Sequence, residues 1–283
     1  MQKIKHIHFI KQKADKDETV GILATFGNYG VRAWETLSRH IRFIRAVFYS
    51  LFRLITGHAT FRPIDLWWEL DKAGIRAVPI VCLISFMIGL IIAFVGNMQL
   101  KLFGAEIYVA ALVAISMIRI LGAIMTGIIM AGRTGAAYAA EIGSMHANDE
   151  IDALKSMGIS SVDFLVLPRV LALTITMPIL TILADIVAIF GGMCVAIMIM
   201  NVSVTEYWRM TLDWLSFNNF AVGVLHGWLF GWVIAITGCF CGMNSDRNAT
   251  GVGRAATRAV VNGIVGCIIT TAILTIIFNW LDI

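Results

Sequence analysis

The sequence predicts an all-α integral membrane protein: an N-terminal interfacial amphipathic helix, five transmembrane helices, and a short cytoplasmic helix between spans 2 and 3. Three observations lead there. Of 283 residues, 59% are hydrophobic and 14% charged, against roughly 45–50% and about 25% in soluble domains. The apolar residues collect into five runs, each long enough to cross a bilayer core, which takes about 20 residues of helix. Lys and Arg gather in alternate connections, the asymmetry that orients spans in a membrane.

Residues 1–30 are too few for an independent domain and read as a cytoplasmic N-terminal segment. Residues 31–283 read as one membrane domain. The net charge of +4 is concentrated near the start, in Lys3, Lys5, Lys11, Lys13 and Lys16, then Arg32, Arg39, Arg42, Arg45 and Arg53. Followed by apolar spans, these mark an end beside anionic headgroups rather than a nucleic-acid site. His6 and His8 read as solvated members of this tail. Over about 34–56, Leu37, Ile41, Ile44, Phe48, Leu51 and Ile55 recur at alternating spacings of four and three, with Arg39, Arg42 and Arg53 opposite. That pattern predicts a helix lying in the membrane interface; the other reading is a helix packed on a soluble domain.

The spans follow at about 77–100, 107–131, 162–200, 218–243 and 259–280. The third is too long for a simple crossing: at 1.5 Å per residue it approaches ~60 Å. With Pro168 and Pro178 inside it, it reads as one kinked helix whose first turns are cytoplasmic. A short external helix is predicted from Ser203 or Thr205 toward Trp214. The first long apolar run begins near Ala77, too far in for a cleavable signal peptide. The N-terminal segment, loop 132–169 (Arg133, Lys155, Arg169) and loop 244–258 (Arg247, Arg254, Arg258) share one side. Lys101 and Arg209 on the other are offset by Glu106, Glu206 and Asp213. The N-terminus is therefore predicted cytoplasmic and the C-terminus periplasmic. The five cysteines, Cys82, Cys194, Cys239, Cys241 and Cys267, fall in or at the ends of apolar runs. They read as small core hydrophobes with no metal spacing.

No Gly is followed by Lys anywhere, so a P-loop is excluded. No His-Glu-x-x-His and no plausible Ser/His/Asp set occurs. The chain reads as a non-enzyme that binds no metal or cofactor. Its longest polar interruption, 132–169, is the stretch that could receive energy from elsewhere. Within it Asn148 or Asp149 can cap a helix, with Glu150 and Asp152 in the first turn, Lys155 near the end and Gly158 at the stop. Ile151, Leu154 and Met157 form an apolar stripe, which must pack either on the chain's own cytoplasmic ends or in a partner's groove.

Several long motifs then stand in order: Gly132-Arg133-x-Gly135-Ala136-Ala137-x-Ala139-Ala140-Glu141-Ile142-Gly143, Glu150-Ile151-Asp152-Ala153-Leu154-x-x-Met157-Gly158, and Pro168-Arg169-Val170-Leu171-Ala172. Leu183-Ala184-Asp185, Gly191-Gly192 and Gly251-Val252-Gly253-Arg254-Ala255-Ala256-Thr257-Arg258-Ala259-Val260-Val261 continue the series. Over roughly residues 30–280 this closely resembles the MlaE/YrbE family of ABC transporter permeases. The resemblance implies a homodimer in the bacterial inner membrane, working with cytoplasmic ABC ATPases that hold ATP-Mg and with a periplasmic MCE-domain ring, hexameric in the family. It also implies a small cytoplasmic accessory subunit, and phospholipid, typically glycerophospholipid, as the cargo.

It further implies that Glu141, Glu150, Ile151, Asp152, Leu154, Lys155 and Met157 form the coupling helix and ATPase contact. The lipid cavity would involve Ile92, Gln99, Leu100, Phe103, Arg119, Leu121 and His226. The chain departs from the family in two places. Arg119-Ile120-Leu121-Gly122-Ala123 stands where relatives have Arg-Glu-Leu-Gly-Pro, and His226 where many have Lys. An acid and a base are both altered, which reads as a linked loss because an unpaired buried charge is expensive.

Arg119 can serve the cavity or a structural pair, and Asp185 can partner a cation or cap a polar pocket. Gly223, Gly227 and Gly231 make a small-residue stripe for helix packing, within the chain or at a dimer seam. Two rival classes remain at this point: an ATPase-independent transporter or channel, which predicts ionisable residues paired across spans, and a membrane scaffold for envelope proteins.

Overall fold

The computed structural model describes residue 34 and residues 38–57 and 62–281. Residues 1–30, with the lysines and histidines of the tail, lie outside the described residues, as do Arg32 and Leu37. The chain divides into two compact units, Met1–Tyr49 and Ser50–Ile283. Residues 38–55 are helical (α1). In the first unit the predicted stripe residues Ile41, Ile44 and Phe48 are exposed. Exposed apolar residues on this helix suit one that meets lipid. In the second unit Ile55 continues that stripe, exposed as well.

The second unit has no strand among its described residues and holds five helices long and apolar enough to cross a membrane. A short α2, Pro63–Ala73, opens it with Pro in its first turn, where no backbone N–H bond is lost. At Gly74 the chain turns into span 1, α3, Val78–Leu100. Span 2 is a run of α4 (Val109–Ser116), α5 (Gly122–Met130) and α6 (Ala136–Ala147), joined by π turns at Met117–Leu121 and Ala131–Gly135. The short α7, Glu150–Ser156, follows. Span 3 is a π turn, Val162–Val166, and α8, Leu167–Met200, with Pro178 inside it. The amphipathic α9, Val204–Asp213, leads to spans 4 and 5, α10, Phe217–Met243, and α11, Ala249–Trp280.

The chief departure from the predicted layout is in 132–169. This stretch is not a loop. Span 2 continues as helix to Ala147, some four turns past its predicted end, and span 3 begins at Val162. The reason is composition: Ala136, Ala137, Ala139 and Ala140 are the strongest helix formers, so the polarity of this region reports distance from the membrane and not a break in the helix. Span 5 likewise starts ten residues before its predicted edge, capped by Asn248, whose Oδ1 accepts from the N–H of Gly251 at 2.6 Å. The external helix falls where predicted, with Ser203 Oγ accepting from the N–H of Glu206 at 3.2 Å.

The long α8 is the central element, packed on α2, α3, α4, α5 and α10. Its contact with α3 is close because two glycines face each other's backbones. A Cβ at Gly89 would overlap the Ala188 carbonyl, and one at Gly191 the Phe86 carbonyl. Without a hydrophobic drive between helices in lipid, such close approach is what holds them. Cys239, Cys241 and Cys267 are buried and free.

Candidate functional site

The polar end of the bundle is built around α7. Asp149 precedes it in a left-handed conformation (φ 59°) and Gly158 follows it at φ 75°, the second a backbone geometry that glycine adopts at little cost. Asp149 holds the N-cap position, but its side chain does not cap. It accepts instead from Arg247 Nη1 at 2.7 Å, and Asp152 accepts from Arg247 Nη2 at 2.6 Å. The guanidinium fork of Arg247 thus clasps both ends of α7's first turn from the α10–α11 connection, a bidentate geometry suited to arginine. Lys155 Nζ donates to the other Asp152 oxygen at 2.9 Å. These two cations, Lys155 first, hold the Asp152 carboxyl below the usual carboxylate range. His146 Nδ1 lies 3.1 Å from the Ser245 carbonyl, tying α6 to the same connection.

The apolar stripe of α7 divides. Ile151 is buried within the chain, Leu154 is half-buried, and Met157 is 64% exposed. The chain's own packing takes the first turn and leaves the last turn exposed. Glu150 and Lys155 are exposed on either side.

Glu141 is not part of that surface. It stands on α6 in an ion network: Arg169 Nη2 reaches Glu141 Oε2 at 2.9 Å and Glu69 Oε1 at 3.6 Å, and Lys72 Nζ reaches Glu141 Oε1 at 3.1 Å. Arg169 also donates to the Leu165 carbonyl at 2.7 Å and lies over the Tyr138 ring. Arg133 Nη1 donates to the Lys72 carbonyl at 3.2 Å. Beside it, Arg53 pairs with the buried Asp163 at 2.9 Å. The network fastens α2, α6 and α8 together. Sequence reading singled out Glu141 but missed Glu69, Lys72 and Arg247, which appeared only as loop charges or not at all; their distant partners lie 69 to 100 positions away.

Within the spans the predicted cavity residues separate. Ile92, Leu100 and Leu121 come together, half-buried against the cluster of Ala93, Val109, Val113, Met117, Ala188 and Val195. Gln99 is exposed and Phe103 is 82% exposed at the far end of α3. Arg119 sits in the first π turn of span 2, half-buried, with Nη1 donating to Asn219 Oδ1 at 2.7 Å. A π turn widens the helix by one residue and often marks a functional position.

His226 is a correction. It is 0% exposed, its Nδ1 2.7 Å from the Val222 carbonyl one turn earlier, with Phe230 and Phe278 against its ring. Within the single chain it is a packed residue, because the helix face that carries it lies inside the bundle. Asp185 is also buried, at 4%, against Gly122, with Oδ1 unpartnered among the described residues.

The glycine stripe packs inside the chain: Gly223 against the Ile118 carbonyl, Gly227 against Thr181, and Gly231 against the Leu173 carbonyl. It joins α10 to α8 and to span 2 and is not a dimer seam. Among the described residues no group of His, Cys, Asp and Glu could hold a metal ion.

Comparison with known proteins locates this arrangement. Residues 66–277 match a family described as permease MlaE. A probable ABC transporter permease protein of Rickettsia typhi is 34% identical over 241 residues, covering 83% of this chain and 93% of the relative. The intermembrane phospholipid transport system permease protein MlaE of Haemophilus influenzae is 31% identical over 199 residues, 69% of this chain and 75% of that protein. The chloroplastic protein trigalactosyldiacylglycerol 1 of Arabidopsis thaliana is 26% identical over 226 residues, 80% of this chain and 64% of the relative.

Proposed function

The chain belongs to the MlaE permease family, and from that premise we propose that it is the membrane subunit of an ATP-driven transporter carrying glycerophospholipids between the inner membrane and the outer envelope. The observation that carries the reading is α7: a seven-residue helix clasped by Arg247 and packed on α6, the helix whose Glu141 joins an ion network with α2 and α8, with its last turn exposed. A cytoplasmic ABC ATPase, which holds ATP-Mg, docks on Met157, Glu150 and Lys155. Closure of two such ATPases on a homodimer pushes α7, and the Glu69–Lys72–Glu141–Arg169 network moves α2, α6 and α8 together. The lipid is received or delivered on the opposite face through a periplasmic MCE-domain ring. The N-terminus and α7 are cytoplasmic in this reading and the C-terminus periplasmic.

The test uses the membrane complex purified with its partners and reconstituted in phospholipid vesicles. Met157→Asp places a charge on an exposed position, so the fold is spared. ATP-dependent lipid transfer is expected to fall with the ATPase either lost from the complex or uncoupled. Unchanged co-purification, ATP turnover and transfer would remove the coupling role from α7. Full transfer by the chain alone without ATP would defeat the reading entirely.

A further inference from the structure

A groove of about 360 Å³ runs between the α2–α3 corner and α8, and its lining includes none of the proposed translocation residues and none of α7. Its walls include Trp67, Gly74, Val78, Ile179 and Leu183, and its one charged lining residue is Asp71. The size lies within the roughly 300–1,000 Å³ of small-ligand clefts. Gly74 makes the notch: a Cβ there would press on the Leu70 carbonyl and on Thr176. Thr176 brings no free polarity, since its hydroxyl donates to the Ala172 carbonyl at 2.8 Å. At the mouth Arg76 Nε donates to Asp71 Oδ2 at 2.8 Å, and the two side chains are 60% and 35% exposed. That bond uses one of five guanidinium donors and one of the carboxylate's several acceptor sites.

The groove also crosses a polarity boundary. Before Gly74, α2 carries Asp65, Glu69, Asp71 and Lys72; from Val78 onward α3 is apolar. Trp67 and Trp68 are 69% and 59% exposed at that level, where aromatic rings sit at headgroup depth. Below it Ile179 is 61% exposed. The mouth offers one cation and one anion side by side above a slot that is apolar. A phospholipid whose headgroup carries both a phosphate and a primary ammonium complements all three features.

We propose that this groove binds one aminophospholipid, its acyl chain along Val78, Ile179 and Leu183, its phosphate on Arg76 and its ammonium on Asp71. A choline headgroup has no N–H to donate and fits the carboxylate poorly, so the site discriminates between the two zwitterions. The inference does not depend on which lipid is transported or on the role of α7.

Native mass spectrometry of the full chain, released from vesicles of equal phosphatidylethanolamine and phosphatidylcholine with matched acyl chains, reads the site directly. The wild type is expected to retain one phosphatidylethanolamine per chain. Ile179→Trp fills the slot from an exposed position and removes that lipid, whereas Met157→Asp keeps it. Asp71→Asn erases the headgroup preference, a change of about tenfold for the loss of one charge-assisted hydrogen bond. Equal retention by wild type and Ile179→Trp, or equal holding of both headgroups by the wild type, overturns the proposal.

Discussion

Replacing Arg169 by Leu tests whether the ion network, rather than apolar contact alone, holds the coupling end together. Two carboxylates face this guanidinium. Glu141 is nearer, at 2.9 Å, but its side chain is 38% exposed; Glu69 is farther, at 3.6 Å, and only 9% exposed. The shorter contact is the better hydrogen bond, yet burial decides the cost. Glu141 keeps Lys72 at 3.1 Å and access to solvent. Glu69 keeps only a 3.8 Å approach to Lys72 and becomes a nearly uncompensated buried charge.

Removing one partner of a buried pair costs about 3–5 kcal/mol, and here the lower half applies because Lys72 remains. For a chain of this size that is a fall in Tm on the order of 10 °C, read by heating the detergent-solubilised protein and following monodisperse protein by size exclusion. Lys72→Met, at a 42% exposed position, is expected to cost about 1 kcal/mol or less. Adding Glu69→Gln to Arg169→Leu restores a large part of the loss, since the orphaned charge is gone. If Arg169→Leu melts with Lys72→Met, or the second substitution rescues nothing, the reasoning is wrong.

Other outcomes follow from the same geometry. Arg247→Ala opens the clasp while leaving the bundle's melting nearly unchanged, since all three side chains are exposed; proteolysis near 148–158 accelerates and coupling falls. The clasp is also pH-dependent in a definite sense: because Asp152 is held below its ordinary value, its contribution is complete above the ordinary carboxylate range and is lost only as pH drops through the lowered one, which proteolysis at graded pH measures. Gly223→Ala drives a Cβ into the Ile118 carbonyl and costs roughly 1–3 kcal/mol, whereas Gly132→Ala, with nothing within 4 Å of the new methyl, is neutral or gains up to about 1 kcal/mol in thermal unfolding. His226→Phe leaves lipid transfer intact, because the ring is packed inside the chain; loss of transfer in a stable variant would return His226 to the pathway.

Much of the architecture was legible because hydropathy is a local property. Span 1 was read as 77–100 and is α3 from Val78 to Leu100; span 4 was read from 218 and begins at Phe217. The short helix at 150–157 was legible from its charge order and from Gly158. The extension of span 2 to Ala147 was missed because polarity was taken as a helix break, when alanine-rich polar sequence continues a helix as readily as it leaves a membrane. The π turns at Met117–Leu121 and Ala131–Gly135 left no trace in periodicity, since one extra residue per turn is set by neighbours. The reading of His226 as a cavity residue followed a family position; in the single chain the ring is packed against Phe230 and Phe278, a placement that depends on which helix face turns inward.

The sequence by itself determined that the chain crosses a membrane, where each crossing lies, and where the polar end with its short helix falls, because the energy of placing a residue in hydrocarbon depends mainly on that residue. Only the tertiary structure decided that Arg247 clasps Asp149 and Asp152, that Glu69, Lys72, Glu141 and Arg169 meet, and that the glycines of α10 face α8 and span 2. Those are pairings between distant segments, and their energies exist only once the helices have packed.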